Sequence, residues 1–383
     1  MLEGSLLVRG PGRVEVGEGY AEVLGARLGE GESLVVPAGR TVLVRVFGRV
    51  SARGSEVSQV GGETYESIDS IAGEAASRRA AVLVGPSDSG KSTLAAWAVN
   101  RSGGRLKLLS ADIGQNEVYA PGFMALGTPR PPVVPGLDDS FSKVERCFVG
   151  SFQPRGSESR YVACASRLSR LAGEGVVVDT DGWVELWRGL ESKAALAEAV
   201  GARLVVAVGL PSMHARVLER VWGFDVVSVP RLAEGSKSRD ERSLHRERLI
   251  ALRVAGGRER RVRAGEALVV GLPVFKGDPL PQEALYSLSR SVVYGESAEG
   301  RITVVARRRT AIPGVQVLAE GWERGLLAAV HSETGETGVG VVSRISYRDM
   351  SVYVLTRVDG PISMLEVGSA RVNLDSLSGR AKW

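Results

Sequence analysis

The stretch GPSDSGKST, residues 85–93, lies between the apolar runs AAVLV (80–84) and LAAWAV (94–99). It has the form G-x-x-x-x-G-K-[ST], with Gly85, Gly90, Lys91 and Ser92 at the defining positions. Glycines let the backbone turn tightly enough to aim successive N–H groups at phosphate oxygens. The lysine reaches the β and γ phosphates, and the serine hydroxyl ligates Mg²⁺. A helix starting at residue 92 adds its positive end to the same anion site. The pattern therefore predicts a nucleotide loop for ATP or GTP made by Gly85, Pro86, Ser87, Asp88, Ser89, Gly90, Lys91, Ser92 and Thr93. The flanking buried strand and helix are the setting such a loop requires.

Outward from this loop, strands and helices alternate. The apolar pattern predicts strands at 80–84, 105–111, 175–179, 203–209 and 225–229, and helices at 65–79, 92–100, 159–173, 190–200 and 212–221. That alternation predicts an α/β domain over 63–257, a parallel sheet with helices on both faces. Before it, short Val- and Leu-rich stretches separated by Gly and Pro predict a β-sandwich over 1–62. After it, alternations such as RITVVARR and SVYVLTRV predict a β-rich domain over 258–383.

At 383 residues the chain is long enough for two or three domains. No run of 18 uncharged apolar residues occurs and the first residues do not resemble a signal peptide, which predicts a cytoplasmic protein without a membrane partner. Two cysteines, Cys147 and Cys164, stand outside any C-x-x-C pattern. They are expected to be reduced, with neither a disulfide framework nor a zinc site. Three scattered histidines argue against histidine metal or triad chemistry. The net charge of +5 and the cluster RVAGGRERRVR (253–263) fit a polyanionic partner, although such a cluster taken singly reads as solvated surface.

Two acidic positions compete to partner the loop: Asp179 in VVVDTDGW (176–183) and Asp112 in LLSADIGQ (108–115). Both fall at the carboxyl edge of predicted strands, where ligands of such sheets bind. Pattern alone favours Asp179 slightly as the acid on the metal side.

Several segments, taken in order, resemble the polynucleotide 5′-hydroxyl kinases. That family includes the RNA kinase subunit of pre-mRNA cleavage complexes, the nucleolar rRNA-processing kinase and archaeal relatives. GPSDSGKST is similar to its phosphate loop, ADIGQNEVYAPG to its D-x-G-Q segment and FVGSFQP (148–154) to a loop before its next helix. DTDGW is similar to its T-x-G-W clasp and GSKSRDERSLHRER (235–248) to its arginine lid.

The resemblance implies transfer of the γ-phosphate of ATP, or another triphosphate, to the 5′-hydroxyl of RNA and of DNA, with RNA-processing proteins as partners. Asp112 then orients the acceptor hydroxyl and, with Ser92, serves the metal, while Gln115 positions substrate. Thr180, Gly182 and Trp183 close on the acceptor's 5′ end, and Lys91, Arg242 and Arg246 stabilise the transferring group. Without the resemblance, Trp183 reads as a core tryptophan at a strand end and the arginine-rich helix as a solvated surface. The chain departs from the family where GWVELWRG replaces G-W-V-K-G, offering Arg188 in place of the lysine.

Overall fold

The structure, a computed structural model, describes residues 4–232, 238–308 and 310–377. The chain divides into two compact units, Met1–Arg242 and Ser243–Trp383.

The first unit opens with β1 (Gly4–Arg9), β2 (Gly12–Val23), β3 (Ala26–Leu28), β4 (Ser33–Val36), β5 (Thr41–Arg53) and β6 (Glu56–Val60). They form one antiparallel sheet of order β3-β2-β5-β1-β6, with β4 on the outer half of β2. The period-2 pattern buries Leu6, Val8, Val14, Val16, Val42, Val44 and Val46 on one face. The two long strands are shared: β5 pairs with β1 over Thr41–Val46 and with β2 over Val44–Arg53.

The helix α1 (Gly62–Ser77) leads into the central sheet. Its elements are β7 (Ala80–Val84), α2 (Lys91–Arg101), β8 (Lys107–Ala111), β9 (Phe123–Pro129), β10 (Phe141–Phe148), α3 (Glu158–Ser169), β11 (Val176–Thr180), α4 (Leu186–Ala199), β12 (Leu204–Val208), α5 (Ser212–Arg220) and β13 (Asp225–Val229). The strand order is β10-β9-β8-β11-β7-β12-β13. Its middle strands are buried on both faces, as the continuous runs AAVLV, VVVDT and LVVAV require. Val82, Val84, Leu109, Val176 and Val178 pack with Tyr161, Leu168, Leu190, Ala194 and Leu218 of α3, α4 and α5. α2 and α1 pack together on the other face.

The parallel sheet is extended by two further strands, and one expectation is corrected. The sheet is parallel from β8 to β13, but β9 joins β8 antiparallel and β10 joins β9 antiparallel. Neither strand was expected, because the apolar β9 has no period of its own and β10 is partly charged and lies at an edge; only long-range pairing makes them strands. The cysteines are joined rather than reduced: Cys147 in β10 and Cys164 in α3 form a disulfide across Cα atoms 5.5 Å apart. Packing of α3 on β9 and β10 brings the two residues to bridging distance.

The helix α6 (Arg239–Val254) starts on a reciprocal cap, with Ser238 N donating to Glu241 and Glu241 N donating to Ser238 Oγ at 3.1 Å. In the second unit the strands Arg258–Arg263, Ser351–Thr356, Thr337–Ser346, Leu326–Ser332, Ile362–Arg371 and Leu268–Val270 form one sheet in that order. A four-stranded sheet lies over residues 278–319. The arginine cluster falls on the edge strand Arg258–Arg263, where Arg258, Arg261 and Arg263 pair with Asp359, Asp349 and Glu266. No helix among the described residues is long and apolar enough to cross a membrane.

Candidate functional site

The phosphate loop leaves β7 and enters α2 through conformations that its residue types permit. Gly90 caps α2 at φ 98° and Asp88 sits at φ 56°, both left-handed. A Cβ on Gly85 would lie 2.0 Å from Val208 O, so only glycine fits where the loop crosses β12. Lys91 Nζ donates to Pro86 O at 2.7 Å, folding the lysine over the loop it belongs to. Arg231, just after β13, donates from Nη2 to Ser87 O at 3.1 Å and from Nε to Asp88 O at 3.3 Å. The sequence reading missed this arginine; nothing but its place after a core strand marks it.

Ser92 Oγ donates to Asp179 Oδ2 at 2.7 Å. The other carboxylate oxygen, Asp179 Oδ1, is buried without a hydrogen-bond partner among the described residues. Burial pushes Asp179 up to about 6, against the attraction of Lys91. An uncompensated carboxylate beside a serine hydroxyl is a hard-oxygen donor set suited to Mg²⁺. Among the described residues no group of three or more His, Cys, Asp or Glu side chains could hold a metal. An ion here would take its remaining ligands from phosphate and water, as Mg²⁺ does in such loops.

Asp112 stands at the end of the neighbouring strand β8. Its Oδ1 accepts the N–H groups of Gly114 at 3.0 Å and Gln115 at 2.9 Å, closing a turn that fixes the carboxylate. Loss of water around it, then the negative Asp181, raise its pKa, while Lys91 and the two N–H bonds oppose the rise. The structure thus divides the competing acids: Asp179 bonds the Ser92 hydroxyl, and Asp112 lies in its own turn within the field of Lys91.

The lid meets both loops at Arg242. The Arg242 guanidinium reaches Asp88 Oδ2 at 3.4 Å, and the Arg242 carbonyl accepts from Gln115 Nε2 at 3.2 Å. Arg246, one helical turn on, belongs to the second compact unit. Residues 235–237 of the expected lid lie outside the described residues.

At the end of β11, Thr180 Oγ1 donates to Leu83 O at 2.7 Å, tying this strand to β7. A Cβ on Gly182 would lie 2.1 Å from Ser87 Oγ and 2.4 Å from Ser87 N, so the DGW turn rests directly on the phosphate loop. Trp183 N donates to Asp181 Oδ1 at 2.8 Å. The other oxygen of Asp181 accepts Tyr161 Oη at 3.0 Å and pairs with Lys193. Arg188, the candidate replacement for the family's lysine, pairs instead with Glu158 at 2.9 Å.

A cavity of about 40 Å³ adjoins the loop, lined by Ser92, Gln115, Glu117, Val134, Phe141 and Asp179 among others. Glu117 pairs with Arg40 from the turn between β4 and β5, and Arg40 feels Asp179 and Asp88. The leading sheet thus supplies a cation beside the loop, which no local pattern around Arg40 announces.

Fold and loop together define a P-loop nucleotide-binding protein. More narrowly, residues 85–252 match the family described as the mRNA cleavage and polyadenylation factor CLP1 P-loop. A polyribonucleotide 5′-hydroxyl-kinase of Pyrococcus abyssi is 23% identical over 323 residues, 76% of this chain and 87% of its own length. One from Thermococcus kodakarensis is 26% identical over 314 residues, with the same shares covered. A CLP1 homolog of Arabidopsis thaliana is 26% identical over 166 residues, 39% of this chain and 37% of its own. Among solved structures, Clp1p in complex with Pcf11p superposes with a TM-score of 0.58 over 97% of this chain and 96% of that one. At 13% identity the last likeness speaks for the fold.

Proposed function

We propose that the chain is a polynucleotide 5′-hydroxyl kinase, moving the γ-phosphate of ATP or GTP to the 5′-hydroxyl of RNA, with DNA as a second acceptor, in the cytoplasm. In this reading the acceptor oxygen attacks the γ-phosphorus as its proton passes to Asp112. The new P–O bond forms while the bond to the β-phosphate oxygen breaks, and the diphosphate leaves. Lys91 and the loop N–H groups hold the donor, and Arg242 and Arg246 offset charge on the transferring group. Ser92 and Asp179 would hold Mg²⁺, which supplies charge neutralisation between the β and γ phosphates. Thr180, Gly182 and Trp183 close on the acceptor, where the Trp183 ring can stack on a base of any identity.

The observation that carries this reading is the position of Arg242, bonded to the phosphate loop through Asp88 and to the acceptor turn through Gln115. A residue tied to both loops is placed to act on a group passing between them. The relatives named polyribonucleotide 5′-hydroxyl-kinase support the same reaction. Incubation with γ-labelled ATP and 5′-hydroxyl oligonucleotides of both sugar types tests it. Label on the RNA is the expected result; label on neither oligonucleotide refutes the reading.

A second reading is a nucleotide-binding scaffold within an RNA-processing complex. The solved relative with its bound Pcf11p favours it. It predicts nucleotide binding with no label transferred.

A further inference from the structure

We propose that Lys193 is the positioning residue of the acceptor clasp: by pairing with Asp181 it holds the Gly182–Trp183 turn against the phosphate loop. The inference rests on the kinase reading only for its effect on substrate, not for the geometry.

Lys193 is wholly buried in α4, an unusual place for an ammonium group, and it pairs with Asp181. Asp181 itself is 6% exposed, and its carboxylate bonds the backbone of its own turn and two side chains from neighbouring helices. One oxygen accepts the Trp183 N–H, and the other accepts Tyr161 Oη and the lysine. The lysine also lies 5.2 Å from the Tyr161 ring centroid, so α3 and α4 grip the carboxylate together. The turn held this way has little room to move. On one side Gly182 abuts Ser87 with no space for a Cβ. On the other, a Cβ at Gly189 would meet Trp183 O at 2.9 Å and the Trp183 ring at 3.3 Å.

Removing the lysine leaves a buried carboxylate without its cation, and a buried charge stripped of its partner reorganises its surroundings. Of the groups bonded to the Asp181 carboxylate, Tyr161 and Lys193 stand on helices, and the Trp183 N–H belongs to the turn between β11 and α4. A pair that served stability alone would lower the melting temperature and leave the affinity for acceptor untouched. A positioning pair moves the acceptor side selectively, because the phosphate loop keeps its own contacts through Lys91, Ser92 and Arg231.

The test compares the full-length protein with Lys193→Met and with the neutral double variant Asp181→Asn/Lys193→Met, which stays foldable if the single variant does not. We expect the KM for a 5′-hydroxyl RNA to rise about tenfold to a hundredfold in Lys193→Met, with the KM for ATP within about twofold of the parent. Hydrogen exchange should quicken in residues 181–189 and stay unchanged in β11. An unchanged KM for RNA with only a lower melting temperature overturns the proposal. So does unaltered exchange over 181–189 in both variants. If the parent protein phosphorylates nothing, the kinase reading has failed, and the exchange measurement alone decides whether Lys193 holds the turn.

Discussion

Two buried carboxylates, one in each compact unit, are built in opposite ways. Glu296, 1% exposed in the C-terminal unit, receives the N–H groups of Lys276 at 3.0 Å and Phe275 at 2.7 Å and the hydroxyl of Tyr294 at 2.6 Å. Asp179, 7% exposed beside the phosphate loop, receives one serine hydroxyl, and its second oxygen has no hydrogen-bond partner among the described residues. It also lies in the field of Asp112 and Asp181. Full satisfaction makes a buried charge into a structural joint; partial satisfaction leaves it ready for a cation. Residues of a site give up stability to hold chemistry, so substitutions in the two places should differ in sign as well as size.

The sharpest way to break the comparison lies at the lid. Arg242→Ala should lower kcat on the order of a thousandfold with little change in the KM for ATP, since the guanidinium acts on charge that appears in the transition state. Arg242→Lys should rescue poorly, because a point charge cannot contact two phosphoryl oxygens as a fork does. Steady-state kinetics that show near-normal kcat in both would return the helix to a solvated surface.

Asp112→Asn comes next, with kcat expected to fall about a hundredfold or more while nucleotide binding, read by calorimetry, persists. The amide keeps the bonds to Gly114 and Gln115 but accepts no proton. A collapse of activity in Asp179→Asn with Asp112→Asn active would exchange the roles given to the two acids.

Glu296→Ala tests the structural joint. It strands three donors, at about 1–3 kcal/mol each, so denaturant unfolding should show the C-terminal unit weakened by several kcal/mol. Phosphate transfer by the folded fraction should be unchanged.

The smallest effect has the opposite sign. Asp179 has a folded pKa of about 6, above its ordinary 3.8, so the folded protein holds this proton more tightly than the unfolded chain does. The stability tied to that proton is complete below about pH 4 and is lost as pH rises through 6. Asp179→Asn should therefore stabilise the nucleotide-free protein above pH 6, by at most about 3 kcal/mol for a shift of roughly two units. The gain should vanish near pH 4. Melting curves across this range check it, and a destabilised variant at pH 7 would place Asp179 with Glu296 among the structural joints.

The parts of the molecule legible in sequence are those whose physics is local. The phosphate loop could be read because its backbone demands glycine at Gly85 and Gly90 and its chemistry demands Lys91 and Ser92 within eight residues. The core strands β7, β8, β11 and β12 could be read because burial on both faces leaves nearly unbroken apolar runs. The D-x-G-Q and DGW segments could be placed at strand ends.

What the tertiary structure decided depends on residues far apart in the chain. The β9–β10 hairpin, the Cys147–Cys164 bridge and the pairing of Arg40 with Glu117 arise where distant segments pack, and no local period records them. The same holds for the division between Asp112 and Asp179. Two aspartates at the ends of adjacent parallel strands look alike in sequence; which one meets the Ser92 hydroxyl is a matter of a few ångströms across β7, β11 and β8. Lys193 makes the point most simply: in its own helix it is one more lysine, and only the convergence of α3, α4 and the end of β11 buries it against Asp181.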